Sequence, residues 1–256
     1  MPARTEWDYI VVGGGLAGVI VAVRLSDNPE TRVLLLEAGK RARSPILAIP
    51  AVETMLVGHP RYDWRFETEP DPTLNGRRVA VPCGRLLGGS NAINGMLFVR
   101  GQRDDYDEWE RQGAAGWAWR DVLPWFRMAE DWVGGASETR GCGGPMRVEL
   151  PRQRELLCDV FVQAACEAGY RSNPDYNSGD QEGFGYYQCT QRSGRRFSVL
   201  DGYLNAGRRP NLTVRSRALA WRRISCITRS MRSDSPTTRT TSASASVCLR
   251  CRWLSA

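Results

Sequence analysis

The sequence predicts an α/β fold that opens on a dinucleotide-binding strand–helix–strand unit. Three observations predict it. Asp8–Val12 is a short apolar, β-branched run; Gly13, Gly15 and Gly18 follow in Gly-x-Gly-x-x-Gly spacing; a second apolar run, Thr31–Leu36, leads into an acid at Glu37. Continuous apolar runs of this length suit strands buried on both faces of a parallel sheet, where alternation is not required.

Each element has its own justification. Leu16–Leu25 has helical character, ends near Asp27, Asn28 and Pro29, and supplies the crossover that two parallel strands need. In the glycine turn, Gly13 permits the tight bend, Gly15 lets backbone approach a pyrophosphate, and Gly18 lets helix and strand pack closely. The helix start offers free N–H groups and a partial positive charge to phosphates. Glu37 lies 24 residues after Gly13, where a ribose-binding acid is expected. Its carboxylate would accept ribose hydroxyls and repel a 2′-phosphate, which argues against NADP. The fingerprint alone does not separate FAD from NAD.

From Gly39 to Val81 the pattern loosens into a Pro-rich loop. Further on, Asp104–Glu110 and Glu155–Ala168 read as helices, the second ended by Gly169 in a C′ position, and Asn211–Val214 reads as a strand. Gly134, Gly135, Gly141, Gly143 and Gly144 mark a flexible connection.

Composition sets bounds. At 256 residues, 42% hydrophobic and 25% charged, the chain is ordinary for a soluble globular protein. No apolar run approaches the roughly 20 residues that span a bilayer, and Met1–Asp8 lacks the apolar core of a signal peptide. The expected location is cytoplasmic, at most peripheral to the inner membrane. The net charge of +7 does not predict nucleic-acid binding, because residues 222–256 hold seven Arg and one Asp, leaving +1 elsewhere, and no nucleic-acid motif accompanies them.

The same segment holds eight Ser and five Thr but none of the 26 Gly. Its composition predicts disorder. Arginine outnumbers lysine 34 to one, which suggests GC-rich coding DNA and, as a second explanation, an out-of-frame reading from about Ala220–Arg223. Outside the tail, Cys83, Cys142, Cys158, Cys166 and Cys189 show no CxxC spacing and read as reduced, mostly buried thiols rather than a metal site.

A second glycine-rich block, Gly84–Gly101, needs a physical reason for its composition. Backbone without side chains can press against a planar ring or a diphosphate where a Cβ would collide. Ser90, Asn91 and Asn94 add small polar groups, and Arg85 adds a phosphate-sized charge. Interleaved Leu86, Leu87, Ile93, Met96, Leu97 and Phe98 argue against a mobile surface loop.

This block, GRLLGGSNAINGMLFVRG, resembles the first signature of the glucose–methanol–choline (GMC) family of FAD-dependent alcohol oxidoreductases in nearly every position. Trp109, Gly113, Gly116–Trp119, Asp121–Phe126, Gln181–Gly185, Tyr187, Gln188, Tyr203, Leu204 and Arg209–Val214 resemble stretches that follow it, so the likeness runs from about residue 7 to 220. Its flavour is that of choline-dehydrogenase-like bacterial members.

The resemblance implies a Rossmann-like FAD-binding fold in residues 1–220. That fold would be incomplete, with a fragment of the substrate domain and an irregular tail at 221–256. It implies that Gly13, Gly15 and Gly18 hold the FAD pyrophosphate and Glu37 the adenosine ribose. Arg85, Gly88, Gly89, Ser90, Asn94, Gly95 and Met96 would line the pyrophosphate and flavin side, and Arg217–Ala220 would meet the adenine, with Ala220 among the binding residues. Some members attach FAD through a histidine in the signature; Ile93 stands there, so noncovalent FAD is implied.

The family oxidises an alcohol by taking the hydroxyl proton with a histidine base while hydride passes to the flavin. That base belongs to the C-terminal portion of a considerably longer chain, with the second signature and most of the substrate domain. The only histidine here, His59 in a Gly-His-Pro loop, does not match it, so no catalytic residue is assigned. Two functions follow: an FAD-dependent alcohol or choline dehydrogenase acting on a small alcohol, or a noncatalytic flavin-binding remnant, including one half of a split enzyme completed by a C-terminal polypeptide. Unpaired strand edges and uncovered apolar faces are expected.

Overall fold

The β-branched runs form strands where buried parallel pairing suits them. The computed structural model describes residues 6–220 and the backbone of 247–250. In chain order the elements are β1 (Tyr9–Val12), α1 (Leu16–Leu25), β2 (Val33–Glu37), α2 (Glu53–Leu56), β3 (Phe66–Glu67), β4 (Ala80–Val81), α3 (Arg103–Arg111), α4 (Trp119–Ala129), β5 (Glu130–Trp132), β6 (Met146–Val148), α5 (Leu156–Glu167), β7 (Gln191–Arg192), β8 (Arg195–Arg196), β9 (Leu212–Ser216) and β10 (Val247–Arg250). They divide into two compact units. The second comprises Gly95–Ser198 with Ala48–Pro50, and the first holds the rest.

The first unit carries a four-stranded sheet in the order β10-β1-β2-β9. β1, β2 and β9 are parallel, with Tyr9 opposite Val33 and Val33 opposite Leu212, while β10 runs antiparallel to β1. Val11, Val33 and Leu35 are fully buried in this sheet. α1 buries Gly18, Val19, Ala22 and Val23, the stripe expected of a crossover helix. The Asn211 side chain donates to the carbonyls of Ser26, Asn28 and Thr31, fixing the α1–β2 connection at the start of β9.

The stretch after Gly39 is more ordered than a Pro-rich loop. It holds α2 and the antiparallel β3–β4 pair, and Leu47, Leu56, Leu86, Ala92 and Ile93 form a core of their own beside it. Asp63 ties the loop together, its carboxylate accepting the N–H groups of Gly58 (2.8 Å), Arg65 (2.8 Å) and Cys83 (3.0 Å). Burial opposes its ionisation, but these donors outweigh burial and hold the carboxyl below its ordinary 3.8. A depressed carboxyl contributes stability above its unfolded value and loses it as pH falls through the folded one. Asp63→Asn should therefore cost about 1–3 kcal/mol near neutrality, because the new amide opposes backbone donors. Urea midpoints of both proteins should converge below pH 3.8; parallel pH curves would sink this account.

In the second unit α3 begins where the Asp105 carboxylate accepts the Gln102 N–H at 2.7 Å. Asp107 accepts the Trp119 N–H at 2.9 Å and so positions the start of α4. α4 forms from the Trp-rich stretch despite Pro124 inside it. The glycines at 134–144 are not a loose connection. A Cβ at Gly141 would collide with the Arg127 carbonyl and one at Gly144 with the Glu130 backbone, and the segment joins the parallel strands β5 and β6.

Beneath them lies a buried charge network. The Glu130 carboxylate accepts from Arg100 Nη2 (2.6 Å), Arg140 Nη2 (2.6 Å), Arg140 Nε (3.1 Å) and the Gly141 N–H (2.8 Å). Arg140 also donates to Asp175 and to Gln188 Oε1.

α5 ends as predicted, with Gly169 at φ +90° following it. Its Leu156, Leu157, Val160 and Phe161 are exposed, Leu156 by 79%, in line with an uncovered apolar face. The cysteines correct the sequence reading. Among the described residues only Cys189 is buried, Cys83 is intermediate, and Cys142, Cys158 and Cys166 are exposed, the last two on α5. No described helix is long and apolar enough to cross a membrane. Apart from the β10 backbone, the expected disorder or altered reading frame of 221–256 falls outside the described residues.

Candidate nucleotide site

The two glycine blocks meet, and the reason is steric. Gly88 N–H donates to the Gly14 carbonyl at 2.7 Å, and a Cβ on Gly89 would lie 2.8 Å from Gly15 Cα. Gly89 itself has φ +56° and Gly13 φ +98°, the left-handed region that favours glycine. A Cβ at Gly84 would strike the Gly89 backbone, and one at Gly39 the Arg85 backbone. Chain approach this close is possible only without side chains.

The meeting leaves a cavity of about 440 Å³ at the carboxyl ends of β1 and β2. Its walls are Val12, Gly13, Gly15, Leu16 and Ala17; Gly84, Gly89, Ser90 and Asn91; Leu36, Glu37, Ala38 and Ala218–Ala220; and Trp64 with Cys83. Gly15 is the N-cap of α1 and brings no capping side chain, so the N–H groups of the first turn are left for a ligand. The volume lies within the usual range for small-molecule sites, about 300–1,000 Å³.

Glu37 is buried and turned into the turn. Oε2 accepts the Gly14 N–H at 2.7 Å and Oε1 the Gly39 N–H at 2.6 Å. Burial pushes its carboxyl above the ordinary 4.5, while the N–H groups of Gly39 and Gly14 pull the other way. Each carboxylate oxygen keeps a second lone pair for a hydroxyl.

Of the residues predicted from sequence, the cavity gathers Gly13, Gly15, Glu37, Gly89, Ser90 and Ala220 along its walls. Gly18 and Gly88 stand behind it as packing positions. Arg85 is not among the wall residues: its guanidinium packs 4.7 Å from the ring centroid of Trp64, and it lines a second cavity. Asn94 ends the first unit, with its N–H on the Ser90 carbonyl, and Gly95 and Met96 open the second, where the Met96 carbonyl accepts the Thr190 N–H. Asn91 is a positioning group, its Oδ1 accepting the Val199 N–H at 2.6 Å.

Trp64 and Cys83 were not readable as wall residues. They are placed by the Trp64 N–H donating to the Cys83 carbonyl at 2.8 Å, a contact without sequence periodicity. His59 caps a turn, its Nδ1 accepting the Arg61 N–H at 3.1 Å.

A parallel βαβ unit with an uncapped, glycine-lined helix start and a buried acid defines a dinucleotide-binding α/β protein. The family model for GMC oxidoreductases matches residues 7–246, and the chain belongs to that family. The oxygen-dependent choline dehydrogenase of Photobacterium profundum is 45% identical over 215 residues, 83% of this chain and 38% of that protein. That of Brucella anthropi is 41% identical over 210 residues, covering 82% and 38%. Among solved structures, pyridoxine 4-oxidase from Mesorbium loti superposes with a TM-score of 0.79 at 35% identity, over 83% of this chain and 42% of that one. An FAD-dependent oxidoreductase from Chaetomium thermophilum gives 0.74 at 28%, over 82% and 38%. This chain thus spans about two-fifths of the relatives it matches. Family and fold together support FAD as the cofactor.

Proposed function

We propose that the chain is the flavin-cradling part of an FAD-dependent oxidoreductase that acts on the CH–OH group of a small alcohol of the choline type. The observation that carries this is the stitched pair of glycine blocks facing the uncapped start of α1 beside buried Glu37. Gly13, Gly15 and Gly89 hold the pyrophosphate against backbone N–H groups, Ser90 offers its hydroxyl, and Glu37 accepts from the ribose. Ala218–Ala220 flank the adenine. Bound FAD supplies the two-electron acceptor for hydride from the alcohol. Buried Ile93 offers no attachment atom, which supports noncovalent binding.

The described residues offer no positioned base for the alcohol proton, since His59 is engaged in its own turn. Turnover therefore requires a group from outside them. The exposed apolar side of α5 favours a second reading, in which a C-terminal polypeptide completes the site.

The test is flavin titration of the purified full chain, followed by acid precipitation and dye-linked choline oxidation. FAD should bind, stay in the supernatant after precipitation, and support no dye reduction by the chain alone. Absence of FAD binding would overturn the cradle, and alcohol-dependent turnover by the chain alone would overturn the missing base.

A further inference from the structure

One side of the first unit gathers six cations without an acid among them. Lys40, Arg61, Arg85 and Arg217 line an open cavity of about 690 Å³. Lys40 and Arg61 also line an adjoining recess of about 230 Å³ with Arg41 and Arg43. No carboxylate lines either space, and among the described residues none of the six forms an ion pair. The nearest acids along the chain face other groups, Glu37 accepting the N–H groups of Gly14 and Gly39 and Asp63 those of Gly58, Arg65 and Cys83.

The backbone fixes this arrangement. Arg217 N–H donates to the Gly39 carbonyl and Arg85 N–H to the Tyr62 carbonyl, at 2.8 and 2.7 Å. Arg217 has φ +58°, a conformation that residues with a Cβ rarely adopt and that tends to mark functional positions. The Arg85 guanidinium is ordered against Trp64. Like charges in a concave wall repel one another until a counter-ion neutralises them, and they focus field on an incoming anion. Guanidinium forks match phosphate oxygens in pairs. The space and the number of cations exceed what one phosphate would occupy.

We propose that this cavity binds a small metabolite bearing two or more phosphate groups, separately from the nucleotide cradle. The two cavities share Ala38 and Leu219 but no charged side chain. The proposal does not rest on the flavin reading, because Lys40 and Arg61 do not line the cradle.

The test is calorimetric titration of the full chain with inorganic tripolyphosphate at ionic strength fixed with chloride. Lys40→Gln/Arg61→Gln should weaken binding at least about tenfold, and Lys40→Gln alone should weaken it measurably. The charge-conserving Lys40→Arg/Arg61→Lys should bind like the parent, and FAD titration should be the same for all. Tripolyphosphate affinity that is unchanged in the neutral variants would overturn the site, as would its loss in the charge-conserving one. So would absence of binding to the parent, or retention only on anionic lipid vesicles.

Discussion

Glu130→Ala should cost about 3–5 kcal/mol of stability, since it leaves the buried Arg100 guanidinium without an ion-pair partner and Arg140 with Asp175 alone. Arg100 and Arg140 are almost wholly buried, and both direct their donors at this one carboxylate. Asp175 reaches only Arg140, so it cannot replace Glu130 for both. The loss should appear as a large fall in the urea midpoint. Because the Arg140 guanidinium lies 4.2 Å from the Trp132 ring centroid, the near-UV dichroism of the folded protein should change as well. Asp131→Ala removes a more exposed partner, that of Arg147, and should cost under about 1 kcal/mol. Equal effects of the two substitutions would contradict this ordering.

Gly89→Ala should nearly abolish flavin binding while also destabilising the first unit. The left-handed backbone costs a side-chain-bearing residue about 1–2 kcal/mol, and overpacking adds about 1–3 kcal/mol. The added methyl lies 2.8 Å from Gly15 Cα and forces the two glycine blocks apart. Gly135→Ala separates the two causes, since it has φ +89° with nothing within 4 Å of the new Cβ. It should lower the melting temperature yet leave FAD affinity unchanged. FAD affinity in Gly89→Ala within about tenfold of the parent, or about 1.4 kcal/mol, would remove the cradle's steric basis.

What could be read from the sequence was local. α1 occupies the predicted residues, and β1 and β2 shift by a residue or two, because continuous apolar runs and a glycine turn are short-range signals. β9 was visible as a β-branched run, but its place beside β2 was not, since no local pattern encodes a partner 180 residues away. α4 was hidden by Pro124 and by aromatic residues that blur helical periodicity. At the site, glycine spacing pointed to backbone that a ligand could approach closely, and the folded chain brings Gly15 and Gly89 against each other with Gly13 and Gly89 in the left-handed region. Glycine spacing could not tell that the Glu37 carboxylate turns onto the Gly14 and Gly39 N–H groups, or that Arg85 packs on Trp64, because both depend on loops that meet only in the folded chain.

The late arrival of β9 has a consequence in time. The cradle wall at Ala218–Ala220 follows β9, which pairs with a strand made some 180 residues earlier. At about 5–20 residues per second of synthesis, the first βαβ unit waits roughly 10–40 s at the ribosome before its third parallel strand exists. Throughout that interval β2 presents an open hydrophobic edge, so the nascent chain depends on chaperone cover or on cofactor supply at the moment of closure more than its small sheet would suggest.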